Sequence, residues 1–345
     1  MLLRFCFPVL CLMVCTGLSA QPTNVQKALI SIERIWDRAE HNAFTDLVYF
    51  RDKWYCTFRE GTGHVPGVNG SIRVIASADG QNWTSVALIS EAGIDLRDPK
   101  LSVTPDKRLM LNLEAAYYEG RKALKRESWV AFSDKKGTRF GPGENIKLPT
   151  ELISNSDWLW RVTWHKGTAY GVMYQSSADE DWRAHLLKTT DGKNFDLVTT
   201  FPITGKPSEA TVRFDQQDRL IVLLRQDGED KIGLIGNSLP PYGEWSWKKV
   251  GRQLGGPNFV ILPGGRLVCT TRDYTGPERT TALAFVGLDG QYEPVFSFPS
   301  NGDTSYPGMV LRDGILYISY YSGHEGKANI YLARVSVDGL GLIAP

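Results

Sequence analysis

Apolar residues along this chain gather in short runs rich in Val, Ile, Leu, Tyr and Phe, and the runs come in pairs joined by a polar turn. The pairs read "TDLVYFRDKWYCTFRE" from Thr45, "RDPKLSVTPDKRLMLNLE" from Arg97, "WRVTWHKGTAYGVMYQ" from Trp160, "EATVRFDQQDRLIVLLRQ" from Glu209, "NFVILPGGRLVCTTRD" from Asn258 and "YPGMVLRDGILYISYY" from Tyr306. Runs of this length bounded by Gly and Asp turns predict strands joined as hairpins, and no comparable stretch carries a helical period. The hairpins recur at roughly fifty residues, the length of a propeller blade. One four-stranded blade cannot cover its own faces, so the copies must pack in a ring. The pattern therefore predicts an all-β fold, a six-bladed β-propeller of four-stranded antiparallel blades.

A second piece follows the hairpins: "SADGQNW" at Ser77 to Trp83, "TTDGKNF" at Thr189 to Phe195, "LDGQY" at Leu288 to Tyr292 and "SVDG" at Ser336 to Gly339, with degraded versions at Ser133 to Phe140 and Ser238 to Trp245. In such a turn Asp accepts local backbone hydrogens, Gly takes the left-handed conformation and the aromatic packs back between strands. These turns resemble the Asp-box (BNR) repeat of the sialidase superfamily, although "SADGQNW" is one residue shorter than the usual spacing. Residues 28–38, "ALISIERIWDR", and the tail "LGLIAP" are the candidates to close the ring with outer strands on the last blade.

Composition narrows the picture at the N-terminus. Arg4, the apolar run Phe5 to Val14 and small residues near Gly17 to Ala20 read as an export signal over residues 1–20, leaving 21–345 as one propeller domain, secreted or periplasmic. Bulky Val14 before Cys15 argues against a lipid anchor there. Cys6, Cys11 and Cys15 leave with the signal, and Cys56 and Cys269, in blades that are not neighbours, are expected as buried free thiols. With 39 basic against 38 acidic residues the chain has no charge bias toward nucleic acid, and no later stretch has the length of a membrane helix. No His and Cys spacing of the zinc kind and no Asp-rich EF-hand loop is present, so neither a metal nor another cofactor is expected. The expected partner is a carbohydrate, and the expected state a monomer.

A propeller brings the starts of its first strands and the ends of its second strands to one mouth of the axial channel. The hairpins therefore nominate His41, Asn42, Asp46, Arg59 and Glu60 from blade one; Asp95, Arg97, Asp98 and Glu114 from blade two; and Asp157, Trp158, Trp160 and Arg161 from blade three. Glu209 and Arg225 come from blade four, Asn258, Arg272 and Asp273 from blade five, and Asp303, Tyr306, Tyr320, Tyr321 and His324 from blade six. So many arginines and carboxylates are costly to crowd together unless compensated. Selection for packing alone would favour apolar residues.

Glu209 followed one strand later by Arg225, then Arg272 in "TTRD" and Tyr306 in "SYPGMVLRDGILYISYY", resembles the catalytic pattern of the sialidase superfamily. The repeat likeness spans 21–345; the catalytic likeness is confined to blades four to six. It implies a retaining exo-glycosidase in which Tyr306 is the nucleophile, Glu209 its base, and Arg225 and Arg272 the grip on a substrate carboxylate. Sialidases are a known exception in using Tyr, and a neutral phenol avoids the repulsion that a carboxylate beside the anomeric carbon would exert on an anionic nucleophile. Guanidinium groups offer two parallel charge-assisted hydrogen bonds to a carboxylate.

Blade one departs from this family. Its Arg-Ile-Pro motif is replaced by "HNAFTDL", residues 41–47, leaving Arg59 and Arg97 as substitute substrate-binding arginines. The loop after the first hairpin, "EGTGHVPGVNGSIRV", contains no Asp, so His64 and Asp98 are the candidates for acid/base. Trp158 and Trp160 are candidates to stack on a sugar ring. A non-catalytic glycan-binding propeller and a polysaccharide lyase acting on uronic-acid glycans stay open as alternatives.

Overall fold

The computed structural model describes residues 28–65, 69–176 and 182–341. The expected signal segment and the last residues of the expected closing tail lie outside them. Twenty-four strands form six four-stranded antiparallel sheets, and among the described residues the only helical pieces are 3-10 turns at Thr150–Leu152 and Asp338–Leu340. The six first strands are His41–Phe50, Asp95–Val103, Asp157–His165, Pro207–Phe214, Asn258–Ile261 and Thr304–Arg312, and each touches its neighbours around the axis. This is the six-bladed propeller that the hairpin repeat predicts.

Closure follows half of the expectation. Leu29–Trp36 pairs antiparallel with Asn329–Ser336 as the outermost strand of blade six, from Leu29↔Val335 to Trp36↔Ile330. Among the described residues the tail adds no strand: the chain turns at Asp338–Leu340 and Gly339 packs on Ala28.

One apolar cluster fills each of the six gaps between neighbouring blades, from Val74, Leu101 and Leu111 between blades one and two to Met309, Leu316 and Phe285 between five and six. Alternation along each strand supplies both faces, so every blade is covered by its neighbours. Cys56 and Cys269 lie in two of these clusters as buried free thiols, both pushed up by burial, Cys269 to about 12. The Asp-Gly turns form as the residues require. Asp79 accepts from the backbone N–H groups of Gln81 and Asn82 at 2.8 Å, and Asp191 does the same for Lys193 and Asn194.

A polar network joins all the blades beneath the mouth. Arg161 of blade three donates to Asp46 Oδ1 of blade one at 2.5 Å, to Thr211 Oγ1 of blade four at 3.2 Å and to the Pro307 carbonyl of blade six at 3.3 Å. Asp46 Oδ2 accepts from Leu101 N–H of blade two at 2.8 Å, and Asn258 of blade five donates to the Pro307 carbonyl at 3.0 Å.

Candidate active site

Five of the six first strands carry a bulge at the same level, two residues facing one on the second strand: Phe44 and Thr45 opposite Phe58, Asp98 and Pro99 opposite Leu113, Trp160 and Arg161 opposite Val172, Ser208 and Glu209 opposite Arg225, and Tyr306 and Pro307 opposite Tyr320. A bulge breaks the pleat and re-aims a side chain. Here it turns residues that would otherwise alternate between interblade gaps toward the axis. Phe44, Asp98 and Tyr306 have φ of 63°, 44° and 50°, a left-handed region that costs non-glycine residues and is concentrated at functional sites. Blade five has Gly256 and Pro257 just before its first strand instead, and Gly256 has φ 59°. A Cβ on Gly256 would lie 2.7 Å from Tyr306 Cγ, so only glycine fits beside that ring. Gly308 is needed for a different reason: an added Cβ would lie 2.2 Å from Leu47 N, where blades six and one meet.

The bulges bring Tyr306 and Glu209 together. Tyr306 Oη donates to Glu209 Oε1 at 2.6 Å, Arg225 Nη1 donates to the same carboxylate oxygen at 2.9 Å and lies 3.3 Å from the phenol oxygen, and Gly256 N–H donates to Glu209 Oε2 at 2.6 Å. Burial alone would raise the Glu209 carboxyl, but the charge of Arg225 and the hydrogen bonds from Tyr306, Gly256 and Arg225 outweigh it and hold it below its ordinary value. Burial, then the charge of Glu209, pushes the Tyr306 phenol well above 10 against the pull of Arg225 and Arg272. The pair is thus a protonated phenol hydrogen-bonded to a carboxylate.

Arg225 is fixed from its other edge by Asp227, which accepts from Nε at 3.0 Å and Nη2 at 2.6 Å. Asp227 falls outside the residues nominated from the sequence. Its place two residues after Arg225, just past the end of the strand, is the signal that would have found it. Arg272 lies with its guanidinium carbon 5.2 Å from the Tyr306 ring centroid; it donates through Nε to the Thr304 carbonyl at 2.8 Å and through Nη2 to Tyr321 Oη at 3.1 Å. Nη1 of Arg272 makes no hydrogen bond among the described residues. Burial opposes the charges of Arg225 and Arg272, yet neighbouring acids and phenols raise both above the ordinary guanidinium value.

Arg59 and Arg97 both meet Asp95. Asp95 takes Arg59 through Nε at 2.9 Å and Nη2 at 2.7 Å, and takes Arg97 Nη1 at 3.0 Å. The same two arginines hold the loop after the first hairpin, Arg59 through the Gly63 carbonyl at 2.9 Å and Arg97 through the His64 carbonyl at 3.0 Å. Asp95, two residues from Arg97 and across the blade gap from Arg59, thus joins both guanidinium groups to the loop, while Arg97 Nε stays buried without a hydrogen-bond partner among the described residues. His64 itself stands half-exposed at the mouth, its Nδ1 2.9 Å from Asp303 Oδ2.

Asp98 is buried, its Oδ1 has no hydrogen-bond partner, and its nearest arginine nitrogen is Arg97 Nε at 3.9 Å. Burial raises its carboxyl, opposed by the charges of Lys100 and Arg97 and reinforced by Glu209. Lys100 beneath it is lowered to about 8 by burial and lies 4.5 Å above the Trp160 ring.

Glu114, paired across the blade with Arg97, is buried with both carboxyl oxygens unpartnered. Burial raises it well above its ordinary value despite Arg126 and Arg97. A carboxyl raised in the folded state binds more protons there than in the unfolded chain. Its stabilisation is therefore full below the unfolded value near 4.5 and lost as pH rises through the folded one. Glu114→Gln keeps the shape without the charge, and urea midpoints between pH 5 and 8 should show the variant gaining on the wild type as pH rises; a constant offset would exclude this titration.

Trp160 is 1% exposed and packs edge-on against Tyr306 at 5.6 Å, so it supports that ring and offers no face to a sugar. Its position inside the bulge, unreadable from alternation alone, explains the difference from expectation. Trp158 is half-buried and lies parallel to buried Tyr174, whose other neighbour is Trp182: the centroids are 5.5 and 6.2 Å apart and the planes tilted by 17° and 18°.

No protein-family model and no curated protein matches this sequence. Solved structures do. A protein of unknown function from Dyadobacter fermentans superposes with a TM-score of 0.78 at 17% identity, over 89% of this chain and 98% of that one. Trypanosoma rangeli sialidase in complex with the inhibitor DANA gives a TM-score of 0.71 at 14% identity over 88% of this chain, which spans 56% of the sialidase. Penicillium chrysogenum α-L-arabinanase complexed with arabinobiose gives 0.67 at 11% identity, over 90% of this chain and 99% of that one. At such identities the likeness is one of architecture, and what these proteins have in common with this chain is the six-bladed β-propeller fold.

Proposed function

We propose that the protein is an exported exo-acting glycoside hydrolase that removes a terminal acidic sugar with retention of anomeric configuration. The observation that carries this reading is the 2.6 Å hydrogen bond from Tyr306 to Glu209, with Arg225 on both oxygens. The phenol is too weakly acidic to ionise alone, so its nucleophilicity depends on a base already in contact. As the phenol oxygen attacks the anomeric carbon, Glu209 takes its proton and the bond to the leaving oxygen breaks. Asp98, a buried carboxyl raised above its ordinary value, gives that oxygen its proton. In the second half, water attacks the glycosyl-tyrosine carbon and returns a proton to Asp98, while Tyr306 recovers its own from Glu209. Nη1 of Arg272 faces an acidic group of the sugar, and Trp158 is the candidate to stack on the ring beyond it.

Likeness in fold to a sialidase and to an arabinanase supports a carbohydrate substrate. The experiment is trapping: a panel of fluorinated donors of acidic sugars should leave a covalent glycosyl group on Tyr306, seen by peptide mass spectrometry. A label on another residue, or a product of inverted configuration by proton NMR, would refute the assignment.

A further inference from the structure

We propose that His41, His64 and Asp303 form a binding site for one divalent transition-metal ion of the zinc type, at the channel mouth beside Arg272. Their three donor atoms, one per residue, lie within 4.8 Å of one another. His41 Nε2 is 2.8 Å and His64 Nδ1 2.9 Å from the same carboxylate oxygen, Asp303 Oδ2. Two imidazoles and one carboxylate are a donor set that suits zinc and its neighbours in the first transition row.

What surrounds the donors fits this use. The other oxygen, Oδ1, accepts from Tyr321 Oη at 2.6 Å and has Arg272 Nη2 at 3.5 Å. The carboxylate is thereby oriented by outer partners on one oxygen while the second faces both imidazoles, as second-shell groups orient a metal ligand. His64, on a loop where a free histidine would swing into solvent, is pinned by Arg97 on its own carbonyl and by Arg59 on the carbonyl of Gly63. Two buried arginines held by Asp95 thus fix the backbone from which the half-exposed imidazole projects. His41 is fixed differently, at the start of a central strand whose neighbour Asn42 is bonded to blade six through the Ala328 carbonyl at 2.9 Å.

Three protein donors leave a tetrahedral ion one open position, and the side chains of His64 and Asp303, 46% and 31% exposed, show that it opens to the mouth. An oxygen of a bound ligand would complete the shell a short distance from Arg272. The ligands come from residues 41, 64 and 303, on opposite ends of the chain, which is why no spacing in the sequence announces them.

The test is cobalt uptake by the full chain after treatment with a chelator and dialysis. Titration with Co²⁺ alone should give visible absorption of a four-coordinate ion saturating at one equivalent, displaced by one equivalent of Zn²⁺. His64→Ala and Asp303→Asn, each with unchanged circular dichroism, should weaken uptake by more than the roughly 10–100-fold cost of losing an outer-shell partner. Tyr321→Phe should itself fall within that range, whereas His324→Ala should bind as the wild type does. No stoichiometric uptake by the wild type, or uptake indifferent to both ligand variants, overturns the proposal. Tyr306→Phe should take up the ion normally, so a failure here is separate from a failure of the glycosidase reading.

Discussion

Tyr306→Phe abolishes turnover while the protein still binds its glycan: that is the expected result, and the hydrogen bond to Glu209 is the reason. Loss of the phenol oxygen removes the atom that attacks, and loss of a nucleophile that acts as one unit with its base costs on the order of 10⁴-fold or more. Glu209→Gln should cost about 10²–10⁴-fold, because the phenol stays in place but has no acceptor for its proton. The two changes should not add, since each removes the same concerted transfer: the double variant should be no slower than the worse single one. Arg225 sharpens this test. With Glu209 neutral, Asp227 still pairs with the guanidinium at 2.6 Å, so the glutamine variant is expected to fold and its melting curve to stay near the wild type. Single-turnover kinetics on each variant checks the prediction; a Tyr306→Phe protein with wild-type kcat would remove Tyr306 from the chemistry.

The largest effect on stability is expected at Asp46. Its carboxylate meets Arg161 at 2.5 Å with both side chains at most 5% exposed, and its second oxygen holds the Leu101 amide. Asp46→Ala strands a buried guanidinium and an amide at once, and removing one partner of such a pair costs about 3–5 kcal/mol. Asp46→Asn keeps an acceptor for one of them and should lose less. Asp46→Leu and Arg161→Met each leave the other partner of the pair buried and unpaired, and both should lose stability on the same scale. Urea unfolding followed by tryptophan fluorescence measures all four. An Asp46→Ala midpoint equal to the wild type would mean that the network beneath the mouth contributes nothing to holding the blades in register.

The hairpins were legible because strand, turn and strand leave a period in apolar residues that survives without sequence identity between blades. Tyr306 and Glu209 on first strands, and Arg225 and Arg272 near the ends of second strands, were legible as mouth residues from the blade map, and their roles were implied by the family resemblance. Trp160 was not, because a two-against-one bulge shifts the alternation by one residue at that place and sends it beneath Tyr306. Arg59 and Arg97 were nominated to bind substrate, and nothing local in the sequence showed that Asp95 would meet both. The meeting of His41 and His64 with Asp303 depends on blade six lying beside blade one, a contact made by ring closure and by no neighbourhood in the chain.

Pairing Leu29 with Val335 in one sheet also bears on how the molecule is made. A polypeptide growing from its N-terminus carries Leu29–Trp36 without a partner until its final blade has been synthesised, and an unpaired strand edge is a template for the wrong neighbour. Pairing over so long a separation is slow as well, since distant contacts must wait for the chain between them to order. The vulnerable interval in the life of this protein is therefore its assembly, before the zip at blade six is drawn shut.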